Sequence, residues 1–344
     1  MYAGFDVHAK SWKVTILTED LLHKTFVMPP SPEKLHEYLT RNFPEATYYS
    51  AYEAGFCGVW IHRRLSALGV NSMVVNPADI PTTQKEIAQK DDLRDSLKIA
   101  KCLRNGSLTG IYIPQETTLS ERTIVRMRSQ IVKDLNRCRC RLKAYLYFQG
   151  IDYPLQFSKA KSHWSRACIA WLEAVTLADN SARITLTLLL SEIKELRKLL
   201  LETNLHIRNL AKSKKYEQPA RILLSIPGIG TTTAMNILTE LEDINRFKNL
   251  DCFCSFVGLI PSTGSSGEKE IVRGITSRGH RLRKFIVESA WIAARLDPAL
   301  SRSYSQYCRR MEPNKAIIRI ARKLLNRIYA TLKNGQLYET GKMA

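Results

Sequence analysis

The sequence predicts an α/β unit at the N-terminus followed by a mainly helical remainder. Two observations carry this. Short β-rich runs crowd the first 80 residues and then alternate with helical patterns. From residue 117 onward, apolar residues recur at spacings of three and four instead.

The elements follow in order. MYAGFDV, WKVTIL and LLHKTFVM are three β-rich runs separated by the polar turns AKS and TED, a meander of antiparallel strands. SPEKLHEYLTRNF is a helix with Ser31 as N-cap and Leu35, Tyr38 and Leu39 on its apolar side. A strand ATYYSAYE, a helix VWIHRRLSALG, a strand VNSMVVN and a helix over 90–104 complete the unit. An antiparallel start followed by βα units means a mixed sheet covered by helices. This is the element order of the ribonuclease-H/RuvC-like fold.

Acidic residues occupy particular places in that order. Asp6 interrupts the apolar first strand, where a charge costs several kcal/mol unless it is paired or bound to a metal. Glu53 closes the fourth strand, a neighbour of the first in such a fold. Asp92 and Asp95, in KDDLRDS, share one face of the helix that follows. Asp91, four residues from Asp95, shares that face too, so spacing leaves Asp91 and Asp92 as alternatives. Helix capping and pairing with Arg94 or Lys98 are the structural alternatives for these acids. Four converging carboxylates repel without a cation, and hard oxygen donors favour Mg²⁺ or Mn²⁺.

In the middle, TLSERTIVRMRSQIVKDLNRCRCRLKAYLYF keeps helical spacing through Ile124, Met127, Ile131, Leu135 and Leu142. Arg126, Arg137 and Arg141 stand among a crowd of cations on its other faces, opposed locally by Glu121 and Asp134 alone. Such a helix suits phosphates. Further on, Leu186, Leu189, Ile193, Leu196, Leu200, Ile207 and Leu210 step by threes and fours with charged flanks, which predicts an α-helical coiled coil for self-association.

In the last third, ARILLSIPGIGTTTAMNILTEL reads as helix, tight turn, helix. Gly228 and Gly230 allow a turn that offers backbone N–H groups to an anion, the helix-hairpin-helix pattern that grips a DNA backbone. IPSTGSSGEKE, at 260–270, is either a flexible linker or a loop that brings a hydroxyl close to a phosphate. Arg273, Arg278, Arg281 and Arg283 surround the start of the next helix, for which Ser277 is the expected N-cap. The tail from 302 to 334 is again basic.

Composition bounds the function. The chain has 344 residues, enough for two or three domains, and 52 Lys+Arg against 32 Asp+Glu give a net charge of +20. That excess points to a polyanion. No apolar run is long enough to span a bilayer, MYAGFDVHAK lacks the features of a signal peptide, and the eight cysteines form no C-x-x-C pair. The expectation is a cytoplasmic protein with free thiols and no membrane partner.

Taken together, these residues resemble the DEDD transposases of the insertion-sequence family numbered 110. GFDV supplies Asp6, YEAG supplies Glu53, and KDDLRDS supplies Asp92 and Asp95. IPGIG stands at 226–230, GLIP at 258–261, and the downstream SG at Ser266 and Gly267. Asp91 and Ser96 depart from the family's usual Thr and Ala, and Ser265 competes with Ser266. The resemblance implies a RuvC-like domain over 1–155, a coiled-coil region over 156–217 and a C-terminal transposase domain over 218–344. It also implies a recombinase that cuts and rejoins DNA through a serine, assisted by Mg²⁺ (or Mn²⁺) at the acidic residues. A structured non-coding bridge RNA and assembly of dimers into a tetrameric synapse are implied as well. The competing readings are a RuvC-type junction nuclease with an inert serine loop, and a non-enzymatic protein that bridges DNA.

Overall fold

A computed structural model describes residues 1–81, 92–159, 162–266, 269–276 and 280–340, with the backbone alone at 92–93, 263–266 and 269–273. The chain forms two compact units, Met1–Ile113 and Pro114–Ala344.

The first unit is a five-stranded mixed sheet with helices. Its strands are β1 (Tyr2–Val7), β2 (Trp12–Leu17), β3 (Leu22–Met28), β4 (Tyr49–Glu53) and β5 (Asn71–Val75), in the order β3-β2-β1-β4-β5. β1 runs antiparallel to β2 and parallel to β4, so the first strand is the centre of the sheet. The helices are α1 (Pro32–Asn42), α2 (Trp60–Ala67) and α3 (Asp92–Arg104). Ser31 caps α1 by accepting the Lys34 N–H, as its sequence implies. This arrangement is consistent with the RuvC-like fold.

Alternation divides the strand residues between the two faces of the sheet. Ala3 and Phe5 enter one apolar core, where the Phe5 ring stacks 5.2 Å from both Trp12 and Tyr52. Gly4 takes the other face, against α3. A Cβ there would lie 2.2 Å from the Ala100 nitrogen and 2.5 Å from the Ser96 carbonyl oxygen, so glycine is what lets α3 settle on the sheet. A buried bond of 2.9 Å between the Thr15 and Ser96 hydroxyls ties the same contact.

The second unit is mainly helical. Its long helices α4 (Glu116–Phe148) and α6 (Asn180–Ala211) pack antiparallel, with α5 (Arg166–Ala174) between them in sequence. α7 (Glu217–Leu224), α8 (Thr231–Leu241), α9 (Leu250–Val257), α10 (Leu282–Leu296), α11 (Pro298–Cys308) and α12 (Pro313–Asn334) build the main core. α8 lies at its centre, buried at every residue from Ala234 to Leu241. The expected coiled-coil seam finds its cover within the chain. Leu186 and Ile193 of α6 pack with Leu135, Cys138 and Leu142 of α4, and Ile207 joins the main core. The stripe is therefore the buried side of a helical hairpin, which shows the same periodicity as a coiled coil between chains.

The segment around IPSTGSSGEKE is neither linker nor irregular loop. β6 (Pro261–Ser266) and β7 (Lys269–Ile275) form an antiparallel hairpin in which Ser266 pairs with Lys269. EIVRGI, with β-branched Ile271, Val272 and Ile275, provides the strand character that the glycines and serines of β6 conceal. Among the described residues no helix is long and apolar enough to cross a membrane.

Candidate functional site

Two of the four expected carboxylates come from adjacent parallel strands. The register pairs Phe5 with Tyr52, which puts Asp6 and Glu53 one step further, side by side at the carboxyl ends of β1 and β4. Both fall on the face that Gly4 and Ala51 share, the face α3 covers. Asp95 lies one turn before Ile99, whose side chain is buried against that face. Asp92 is the first residue of α3, its side chain lies outside the described residues, and Asp91 lies outside them entirely. Among the described residues no group of three His, Cys, Asp or Glu gathers as a metal site. The donor chemistry of Asp6, Glu53 and Asp95 nonetheless suits a hard cation, because carboxylate oxygens are what Mg²⁺ and Mn²⁺ take.

Sequence reasoning missed one neighbour. His8 Nε2 lies 2.9 Å from Asp6 Oδ2, and the Asp6 side chain is 25% exposed. A spacing of two along a strand was the available signal. The Cys57 thiol, in the loop after β4, is pushed up by burial, with Asp6 adding to the rise.

In the helical unit, Ser266 ends β6, and its side chain, like that of Ser265, lies outside the described residues. The root of the hairpin is held by hydrogen bonds. Thr276 donates its N–H to the Ile260 carbonyl at 3.1 Å, and Arg283 Nη1 donates to the Thr276 carbonyl at 2.7 Å and the Gly258 carbonyl at 3.4 Å. Arg283 was expected to hold phosphate; here its guanidinium braces the hairpin from α10. Arg278, Ser277 and Gly267 lie outside the described residues, as does the side chain of Arg273.

The two glycines of IPGIG have different jobs. Gly228 has φ +90, and a Cβ on it would meet the Ser289 carbonyl oxygen at 2.5 Å and the Ala293 nitrogen at 3.0 Å, so the turn lies directly on α10. Gly230 has open space around it and N-caps α8. It lines a cavity of about 300 Å³ with Thr231, Thr232, Arg128 and Arg208.

The arginines of α4 divide between internal and exposed work. Arg126 grips Glu240 with Nε to Oε1 and Nη2 to Oε2, both at 2.8 Å. Arg122 donates Nε to the Thr239 carbonyl at 2.8 Å and lies 3.6 Å from Glu240. Arg281 Nε and His280 Nε2 also stand 3.6 Å from Glu240, which is itself 3% exposed. Burial pushes the Glu240 carboxyl up, but the hydrogen bonds and charge of Arg126, with Arg122 and His280, outweigh it and hold the carboxyl below its usual range. The His280 imidazole is pulled down to about 4, chiefly by burial, and accepts the Leu282 N–H on Nδ1. Arg141 pairs with Glu192 at 2.5 Å, and Arg137 stands 3.5 Å from Asp134. In the basic tail, Arg322 pairs with Asp251, while Arg319 and Lys323 stand over the Tyr307 ring. Part of the cation excess is therefore structural, supplied with acids from distant parts of the chain.

Comparison with known proteins agrees with the geometry. Residues 3–149 match a family model described as the transposase DEDD_Tnp_IS110. Residues 220–306 match the model of the transposase IS116/IS110/IS902 family. The chain is 28% identical over 244 residues to putative transposase y4qE of Sinorhizobium fredii, a match covering 71% of this chain and 58% of that protein. It is 26% identical to the transposase for insertion sequence element IS1533 of Leptospira borgpetersenii, over 85% of this chain and 84% of that one. Against the transposase for insertion sequence element IS1111A of Coxiella burnetii the identity is 23%, over 81% and 76% of the two chains. With a sheet that carries its acids on adjacent strand ends and a helical unit that carries IPGIG and the serine hairpin, the chain belongs to the IS116/IS110/IS902 family of transposases.

Proposed function

We propose that the protein cuts and rejoins the DNA ends of an insertion element through a covalent serine intermediate. The observation that supports this reading best is the placement of Asp6 and Glu53, side by side on one face at the ends of adjacent parallel strands. Asp6, Glu53, Asp92 and Asp95 would hold Mg²⁺ or Mn²⁺, which supplies charge stabilisation at a phosphate. Asp6 is oriented by His8, and α3 carries Asp95 to the same face because Gly4 lets it approach.

Ser266 is the nucleophile in this reading, and Ser265 stands next to it. Attack of its hydroxyl oxygen on a phosphodiester forms a phosphoserine bond, breaks one P–O bond to deoxyribose and frees a sugar hydroxyl, while the serine proton leaves to a base or solvent. Reversal with another strand's hydroxyl rejoins DNA. The cavity at Gly230, with Arg128 and Arg208, and the exposed cations Arg137 and Arg141 contribute backbone contacts, and the cations Arg273 and Arg278 of the sequence after the serines are assigned the same role. Gly228 supports that surface by fixing the turn.

By the family resemblance, a structured non-coding bridge RNA supplies sequence choice, and dimers pair into a tetramer at synapsis. The functional division is 1–155, 156–217 and 218–344. The test combines protein, element-end DNA, RNA from the flanking non-coding region and Mg²⁺. Strand cleavage is expected, and it is expected to vanish with EDTA or in Asp6→Asn. Undiminished cleavage in both conditions contradicts the proposal.

A further inference from the structure

We infer that a basic pocket between α4 and α10 of the helical unit holds one backbone phosphodiester of a bound polynucleotide. The inference rests on the nucleic-acid reading above and assigns one specific contact within it. The cavity is about 450 Å³ and takes Arg126 and Lys133 from α4, Lys284 from α10 and Arg281 from the N-cap position of α10. Ser129 and Gln130 add neutral donors, and none of its described lining residues is acidic.

The charges in the cavity are unbalanced. Glu240, close to its arginines but almost fully buried, gives both oxygens to the Arg126 fork. Arg281 Nε is 3.6 Å from that carboxylate, and among the described residues it is buried without a hydrogen-bond acceptor. A buried donor left unpaired is costly, so an incoming oxygen that accepted its hydrogen would recover part of that cost. The Lys284 ammonium is held below its usual range by burial, then by Arg281 and Lys133, as expected where cations converge. Arginine forks and lysine ammonium groups are the donors that phosphate oxygens take.

The wall of the cavity favours a polynucleotide over a free anion. Met127 lines it and is 53% exposed. Inorganic phosphate would leave that apolar surface wet, whereas the sugar attached to a backbone phosphate covers it. The cavity is distinct from the one at Gly230, with which it shares no described lining residue.

The test uses Lys133→Gln/Lys284→Gln in the full chain, since neither lysine pairs with Glu240. A control variant, Lys24→Gln/Arg41→Gln, removes the same charge from the sheet unit. Affinities for duplex and single-stranded oligonucleotides are measured over a salt series, with thermal unfolding as a check on folding. Loss of one phosphate contact flattens the slope of log K against log salt by about 0.9 for duplex or about 0.7 for single strand. The pocket variant is expected to show that flattening with several-fold weaker binding, and the control is expected to keep the wild-type slope. Should the double variant unfold, Lys133→Glu alone carries the same expectation. Equal slopes in pocket and control variants overturn the pocket while leaving the nucleic-acid reading intact. Absence of polynucleotide binding by the wild type overturns that reading and the pocket with it. Calorimetric binding of inorganic phosphate that the pocket variant loses, with polynucleotide slopes unchanged, assigns the cavity to a free anion and overturns the inference.

Discussion

Glu240 is a carboxylate inside a helix that is otherwise core, and the cost of its burial is offset by the Arg126 fork with Arg122, Arg281 and His280 nearby. Removing one partner of such a set is worse than never having it, because the remaining charges stay buried without compensation. Glu240→Ala is therefore expected to destabilise the helical unit by about 3–5 kcal/mol, measured by urea unfolding. His280 gives the same site a pH dependence. Its folded value near 4 lies below the ordinary 6.5, because it is buried beside Arg126, Arg122 and Arg281, with Phe256 stacked on its ring and Glu240 opposing the shift. Between those values the unfolded chain binds more protons than the folded one, so stability falls as pH drops from about 6.5 to about 4. The thermal midpoint should be lower at pH 5 than at pH 7, with a smaller difference in His280→Gln. Little of this was legible locally: the run 117–148 looks one-sidedly basic because its acids, Glu240 and Glu192, come from helices far along the chain.

Among the elements, helix periodicity and strand alternation were readable wherever one face is buried, and β1 to β5, α1, α2, α4 and α6 stand where those patterns indicate. Partner identity was not readable. The α6 stripe has the spacing of a coiled coil, yet Leu186 and Ile193 are covered by α4 of the same chain. The β6–β7 hairpin was concealed for a different reason: Gly and Ser in β6 carry no strand propensity, and pairing with β7 supplies what composition lacks. IPGIG gives a clean test of two roles within one turn. Gly228→Ala forces a Cβ against α10 at positive φ, where strain alone costs about 1–3 kcal/mol, so the protein should lose stability. Gly230→Ala enters open space at φ −97 and should leave unfolding nearly unchanged while weakening DNA binding. Equal destabilisation by both substitutions, read by thermal unfolding, contradicts the division.

At the scale of the whole molecule, a net charge of +20 predicts that DNA affinity falls steeply with salt, because each neutralised phosphate releases counterions. Flat affinity between low and physiological salt in a filter-binding series would contradict a backbone-driven interaction. Asp6 drew attention in the sequence because a charge within an apolar strand is costly, and the register sets it beside Glu53 at the ends of adjacent strands. The serine was less legible, since its meaning depends on chemistry that a short polar stretch cannot carry alone. The most direct measurement is therefore a denaturing gel of labelled element-end DNA after incubation with protein, Mg²⁺ and RNA from the flanking non-coding region. A protein–DNA adduct that survives denaturation, disappears in Ser266→Ala and persists in Ser265→Ala is the predicted result. Cleavage that continues in Ser266→Ala with no adduct in any lane would contradict the serine mechanism.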